Sequence, residues 1–138
     1  MIRPDGMKRY RGQKGSGMLE REITSALIPK LLRQSQWAWD RIPDMPNNKR
    51  HTVGYDGWFV HGTFAVRCEI KVGNRPLTES ERKKAAECQK RGEPYAILRW
   101  WPKSWELSVD GQMWQRDRLL TCLDQMLKYF GKLLKLTF

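Results

Sequence analysis

The sequence predicts an α/β domain in which a central mixed β-sheet is flanked by helices. Segments with apolar residues at helical spacing alternate along the chain with short runs rich in β-branched and aromatic residues. Their order is helix, hairpin, helix, strands, helix, the pattern of a mixed sheet covered by helices. With 138 residues, 40% of them hydrophobic, the chain is long enough for one core and one domain.

The elements follow in order. Residues 1–17 hold Arg3, Lys8, Arg9, Arg11 and Lys14 among glycines with no apolar periodicity, the composition of a flexible basic arm. The folded domain is expected over 18–138. Leu19, Ile23, Ala26, Leu27 and Leu31 mark a helix over residues 19–36, and Pro29 within it predicts a kink or break near Ser25. Residues 37–53, with Pro43, Pro46, Asn47 and Asn48, read as a short extended segment followed by a loop. Trp37 and Trp39 share a face by alternation, and unpaired bases can stack on such a pair. Residues 55–60 and 63–72 flank the turn signal His61-Gly62 and predict a hairpin. After a loop at 73–76, Thr78-Glu79-Ser80-Glu81 is a capping-box pattern that starts a helix, and Arg91-Gly92 ends it. Tyr95–Trp101 follows Pro94 as a buried strand, and residues 105–109 and 112–114 form a second hairpin around Asp110-Gly111. Trp100, Trp101, Trp105 and Trp114 fall on these strands as packing residues. The last helix is expected over about 116–136. Its apolar residues, such as Leu119, Met126 and Leu133, recur every seven, but two heptads are short for a coiled coil, so the stripe reads as core.

Charge narrows the function. There are 26 Lys and Arg against 15 Asp and Glu, a formal net charge of +11, which points to a polyanion and most often to nucleic acid. No apolar run approaches the roughly 18 residues of a membrane span, and the basic N-terminus has no apolar stretch of a secretory signal. Cys68, Cys88 and Cys122 are odd in number and lack CxxC spacing, which argues against a disulfide scaffold or zinc finger and suits a reducing cytoplasm. A nucleophilic triad, a Walker loop and a dinucleotide fingerprint are all missing from the sequence.

The chemistry gathers at Arg67-Cys68-Glu69-Ile70-Lys71-Val72. On a strand Arg67, Glu69 and Lys71 share one face, while Cys68, Ile70 and Val72 enter the core. Pairing through the His61-Gly62 turn brings Asp56 beside Glu69. Two carboxylates converging with a lysine suit a hard divalent cation such as Mg²⁺, which offsets phosphate charge and lowers the pKa of a water. The lysine orients that water and stabilises the transition state by its charge. A third acid from the first helix completes such a site, with Glu20 and Glu22 as candidates. Glu81 reads as the capping partner of Thr78, and His61 as a turn residue away from the site. His51 joins Lys49 and Arg50 in a phosphate-contacting patch.

Asp56, then Glu69-Ile70-Lys71 on the next strand, then a helix and a buried strand, resembles the PD-(D/E)XK nuclease superfamily, with its αβββαβ restriction-endonuclease-like core. Lys14-Gly15 followed by Glu20-Arg21-Glu22-Ile23 resembles the opening of archaeal-type Holliday junction resolvases, and the match puts the helix metal ligand on Glu20. Residues 77–99 resemble small VRR-NUC nucleases, which often carry Gln where this chain has Glu81, and Tyr55 stands where the superfamily usually has Pro. The resemblance implies an endonuclease using Mg²⁺, or Mn²⁺ in its place, on branched DNA such as a four-way junction. It also implies a homodimer, and stand-alone members are often phage-encoded. Glu20, Asp56 and Glu69 would be metal ligands and Lys71 the catalytic lysine. Lys8, Arg9, Arg11, Lys14, Lys49, Arg50, Arg67 and Arg75 are the candidate phosphate contacts. A VRR-NUC-like nuclease for other DNA structures and a non-catalytic basic DNA-binding protein are the alternatives.

Overall fold

The structure is a computed structural model that describes residues 19–43 and 54–137. The expected basic arm, with Lys8, Arg9, Arg11 and Lys14, and the loop residues Lys49, Arg50 and His51 lie outside the described residues.

The chain enters α1 (Glu20–Glu22), continues through a π-helical turn (Ile23–Leu27) and runs on into α2 (Ile28–Leu32). The expected break is therefore a widened turn. Pro29 offers no N–H to the carbonyl of Ser25, and i→i+5 pairing absorbs that mismatch without ending the helix. The helix ends at Leu32 rather than at residue 36. Gln34 takes a left-handed φ of 70°, and the Ser35 N–H and hydroxyl both donate to the Leu32 carbonyl, at 2.9 and 2.7 Å.

Six strands follow among the described residues: β1 (Ala38–Arg41), β2 (Gly57–His61), β3 (Phe64–Val72), β4 (Tyr95–Trp101), β5 (Ser104–Val109) and β6 (Gln112–Met113). They form one sheet in sequence order. Every neighbouring pair is antiparallel except β3 and β4. That pair is parallel because α3 (Glu79–Arg91) carries the chain back along the sheet between them, the crossover that a parallel pair requires. The expected mixed sheet is present. In the β2–β3 hairpin His61 pairs with Phe64, and Gly62 takes the positive φ of 61° that the tight turn needs. α3 starts at the expected capping box and ends at Gly92, which sits in the left-handed region at φ 72°.

The last helix, α4 (Leu119–Thr137), begins three residues after the expected start at 116. Asp117 is held by β5 instead, exchanging backbone hydrogen bonds of 2.7 and 2.9 Å with Trp105. Leu119, Cys122, Leu123, Met126 and Phe130 of its stripe are buried, so the stripe is core, packed against β5 and α2. They join Ile23, Ile28, Phe59, Val66, Ile70, Leu98 and Leu107 in one apolar cluster. Trp37 belongs to this cluster, and the half-buried Trp39 packs against it. The Trp37 indole donates to Asp124 Oδ1 at 3.2 Å, and the Trp39 indole donates to the Thr24 carbonyl at 2.8 Å while its ring packs on Phe59. A buried indole whose N–H already has a partner is worth more in the core than on a surface. Cys68, Cys88 and Cys122 are buried and free. Among the described residues no helix is long and apolar enough to cross a membrane.

Candidate metal centre

Alternation along β3 sends Cys68 and Ile70 into the apolar cluster and turns Glu69 and Lys71 to the opposite face, beneath the start of α3. The β2–β3 register pairs Gly57 with Cys68, so Asp56 comes level with Glu69. Asp56 continues that ladder. Its N–H donates to the Cys68 carbonyl at 2.9 Å, and its Oδ2 accepts the Ile70 N–H at 2.8 Å. The carboxylate is therefore aimed by the backbone of the strand that carries Glu69. Gly57 is required beside it, since a Cβ there would lie 2.6 Å from the Asp40 carbonyl oxygen of β1. The segment before Asp56 is fixed by the buried Tyr95, whose hydroxyl donates to the Gly54 carbonyl at 2.6 Å.

α1 supplies the third acid. Glu20, Asp56 and Glu69 each offer a carboxylate oxygen, and these atoms all lie within 4.8 Å of one another. Asp56 is 7% exposed, Glu69 3% and Lys71 4%, whereas Glu20 is half-buried at the mouth. The cleft above them has a volume of about 350 Å³ and is bounded by Tyr55, Arg75, Leu77 and Thr78 as well. Glu22 stays outside the cluster, where its Oε1 accepts the Leu19 N–H at 3.1 Å.

Among the described residues, Lys71 and Arg75 meet these acids. Lys71 Nζ lies 2.9 Å from Glu81 Oε1 and 3.7 Å from Glu69 Oε2. Arg75 Nη1 lies 3.2 Å from Glu20 Oε2. Burial, the negative charge of Asp56 and a hydrogen bond to Glu81 push the Glu69 carboxyl up to about 11, so it carries a proton at neutral pH. Burial also raises Glu20, against the pull of Lys71 and Arg75. Burial acts on Glu81 in the same direction, but hydrogen bonds from Lys71, from Glu69 and from the Thr78 N–H outweigh it and hold Glu81 below the usual carboxylate range. Without a cation, the centre is thus a protonated Glu69 donating to an ionised Glu81 that is clamped by Lys71. The residues fit a hard divalent ion: the donors are all carboxylate oxygens, and their mutual repulsion is relieved only by a proton or a cation.

Of the other sequence candidates, Arg75 borders the cleft and Arg67 does not. The Arg67 guanidinium lies over the Trp58 ring, 4.6 Å from its centroid, and pairs with Glu93 at 3.1 Å. His61 packs against Trp37, away from the acids. Sequence reading missed the site contact of Glu81. Its capping role is present, with Thr78 N–H to Oε1 at 2.8 Å, but the same oxygen also receives Lys71. In the sequence the capping box is the preferred reading of Glu81 over its match to the VRR-NUC Gln position, and only the docking of α3 over β3 reveals the second partner. Tyr95 and Arg99 were missed as well. Arg99 Nη1 donates to the carbonyls of Gly73 and Arg75 at 3.0 and 2.5 Å and so fixes the loop that borders the cleft.

No family model matches the chain, and no curated protein matches it in sequence. Among solved structures it is similar to Hjc, a Holliday junction resolvase from the archaeal hyperthermophile Archaeoglobus fulgidus. The TM-score is 0.52 at 11% sequence identity, and the match covers 76% of this chain and 98% of that one. At that identity the likeness concerns the fold: the mixed sheet and flanking helices of this chain are the fold of that protein.

Proposed function

We propose that this chain is a divalent-metal-dependent endonuclease that hydrolyses phosphodiester bonds in branched DNA, with the four-way junction as preferred substrate. The observation that carries the reading is the convergence of Glu20, Asp56 and Glu69 within 4.8 Å in an open cleft, in a protein of net charge +11. Three acids placed where a polyanion must approach make sense when a cation sits between them. Glu20, Asp56 and Glu69 would hold Mg²⁺, with Mn²⁺ as a substitute. When bound, the ion supplies charge against the scissile phosphate and lowers the pKa of a water.

The remaining work falls to the protein. Glu81 and Glu69 hold the Lys71 ammonium between them, so it presents its remaining donor at the acid cluster, to the attacking water or to a phosphate oxygen. Arg75 at the mouth is a phosphate contact, as are Arg67 and, from the basic segments, Lys8, Arg9, Arg11, Lys14, Lys49 and Arg50. Those segments join the described chain at Leu19 and Gly54, next to Glu20 and Asp56. Similarity to Hjc, a Holliday junction resolvase, favours junction DNA as substrate. A homodimer places two sites on two strands, which suits paired nicks, and sedimentation of the free protein measures it.

The test is incubation of the protein with labelled four-way junction, flap and linear duplex, in Mg²⁺ or in EDTA. Cleavage of the junction in Mg²⁺ alone, lost in Lys71→Ala, is the expected result. If no substrate is cut, or if Lys71→Ala cuts as well as the wild type, the nuclease reading is wrong and a binding protein remains. Equal rates on duplex and junction would retain the enzyme and discard the junction preference.

A further inference from the structure

Arg75 makes an unusual choice of partner for a cation in a nucleic-acid-binding cleft. Its guanidinium rests on Glu20, one of the three clustered acids, with Nη1 at 3.2 Å from Oε2. The side chain is 63% exposed, so it covers Glu20 from the solvent side. Its backbone is the opposite of loose. The Arg75 N–H donates to the Val72 carbonyl at 3.2 Å, Arg99 grips the Gly73 and Arg75 carbonyls, and Gly73 supports the turn at φ 55°. A fixed backbone carrying an exposed guanidinium at the lip of a cleft can swing its head group without moving its loop. Arginine presents a planar fork that suits carboxylate and phosphate equally. Glu20 and a phosphate entering the cleft therefore compete for one guanidinium.

We infer that Arg75 is exchanged between Glu20 and the substrate phosphate, and that this exchange couples DNA binding to divalent-cation binding. The inference rests on the nuclease reading of the cleft and adds its regulation. In the free protein Arg75 neutralises Glu20 and competes with the cation for that carboxylate. A phosphate draws Arg75 away and leaves Glu20 as an unshared ligand, so DNA strengthens cation binding. By linkage, the cation strengthens DNA binding by the same factor, because it releases Arg75 for the phosphate. The protein would thus bind the metal a few-fold more weakly before DNA arrives.

The experiment measures Mn²⁺ binding to the full chain by calorimetry, first alone and then with a short duplex that gel analysis shows to stay intact. Wild type should bind Mn²⁺ more tightly when the duplex is present. Arg75→Gln alone should bind Mn²⁺ about two- to fivefold more tightly than wild type, the factor that an exposed ion pair provides. In that variant the duplex should improve Mn²⁺ affinity less than it does in wild type, because only the direct attraction between phosphate and cation remains, and Arg75→Lys should restore part of the difference. Mn²⁺ binding by Arg75→Gln that is no tighter than wild type would overturn the inference. So would a duplex effect of wild-type size in the variant, which would reduce Arg75 to a screening charge. A wild type that shows the Mn²⁺ and duplex coupling but cuts no DNA would fail the nuclease reading alone.

Discussion

Divalent-cation binding should release a proton. The perturbation is addition of Mg²⁺ to metal-free protein between pH 6 and pH 8. In the free protein Glu69 is held protonated, because burial, Asp56 and the hydrogen bond to Glu81 push it up to about 11. As a ligand it must be a carboxylate, so its proton leaves when the ion enters. The sign follows: each unit of rising pH makes that departure easier, and apparent affinity increases. With the whole window below about 11, one proton is released per ion, and affinity rises about tenfold per pH unit, or ~1.4 kcal/mol. Glu20 is raised as well, so it adds a further fraction of a proton at the acid end of the range. Calorimetric titration in buffers of different ionisation enthalpy counts the protons, and repeating it at three pH values gives the slope. No buffer dependence together with a flat affinity from pH 6 to 8 would refute the reasoning. Glu69 would then be ionised before the cation arrives, or would not be a ligand.

Three further outcomes are expected. Asp56→Asn keeps the bond from the Ile70 N–H through its amide oxygen and removes a negative charge beside Glu69 and Glu20. Its thermal midpoint should equal or exceed that of the wild type while Mg²⁺ binding and cleavage vanish, and a lower midpoint together with lost DNA binding would mark Asp56 as structural. Lys71→Ala removes the cation from the largely buried Glu81 and leaves it the Thr78 N–H and Glu69 as partners, and should cost about 3 kcal/mol in denaturant unfolding. Gly57→Ala drives a methyl to within 2.6 Å of the Asp40 carbonyl oxygen and forces β1 away from β2. It should cost about 1–3 kcal/mol and weaken divalent binding through the displaced Asp56, and both are measurable by thermal unfolding with and without Mg²⁺.

Local signals made much of this legible. The turn at Gly62 and the period of two along β3 were enough to bring Asp56 level with Glu69, since pairing in a tight hairpin follows from the turn position alone. The two capping-box bonds at Thr78 and Glu81 and the Gly92 stop likewise are written within one element. What sequence concealed depends on how elements meet. Glu81 reaches Lys71 because α3 crosses over β3, and Arg75 reaches Glu20 across a loop and a helix start. Pro29 announced a disturbance but not its form, because whether a helix breaks or widens is decided by the packing of Ile23 and Ile28 on either side. Trp37 and Trp39 show the same limit. An indole on an extended segment can face solvent or core, and here Asp124 and the Thr24 carbonyl, both distant in sequence, accept their N–H groups.

One oxygen, Oε1 of Glu81, has a consequence for how the centre can be observed. It accepts both the Thr78 amide at the head of α3 and the Lys71 ammonium at the acids. Any event that removes the Glu69 proton or moves Lys71 changes the electron density on that oxygen, and the Thr78 amide proton senses it directly. A single backbone resonance at a helix start therefore serves as a spectroscopic gauge of occupancy. It can be followed by nuclear magnetic resonance without a label at the centre and without a substrate.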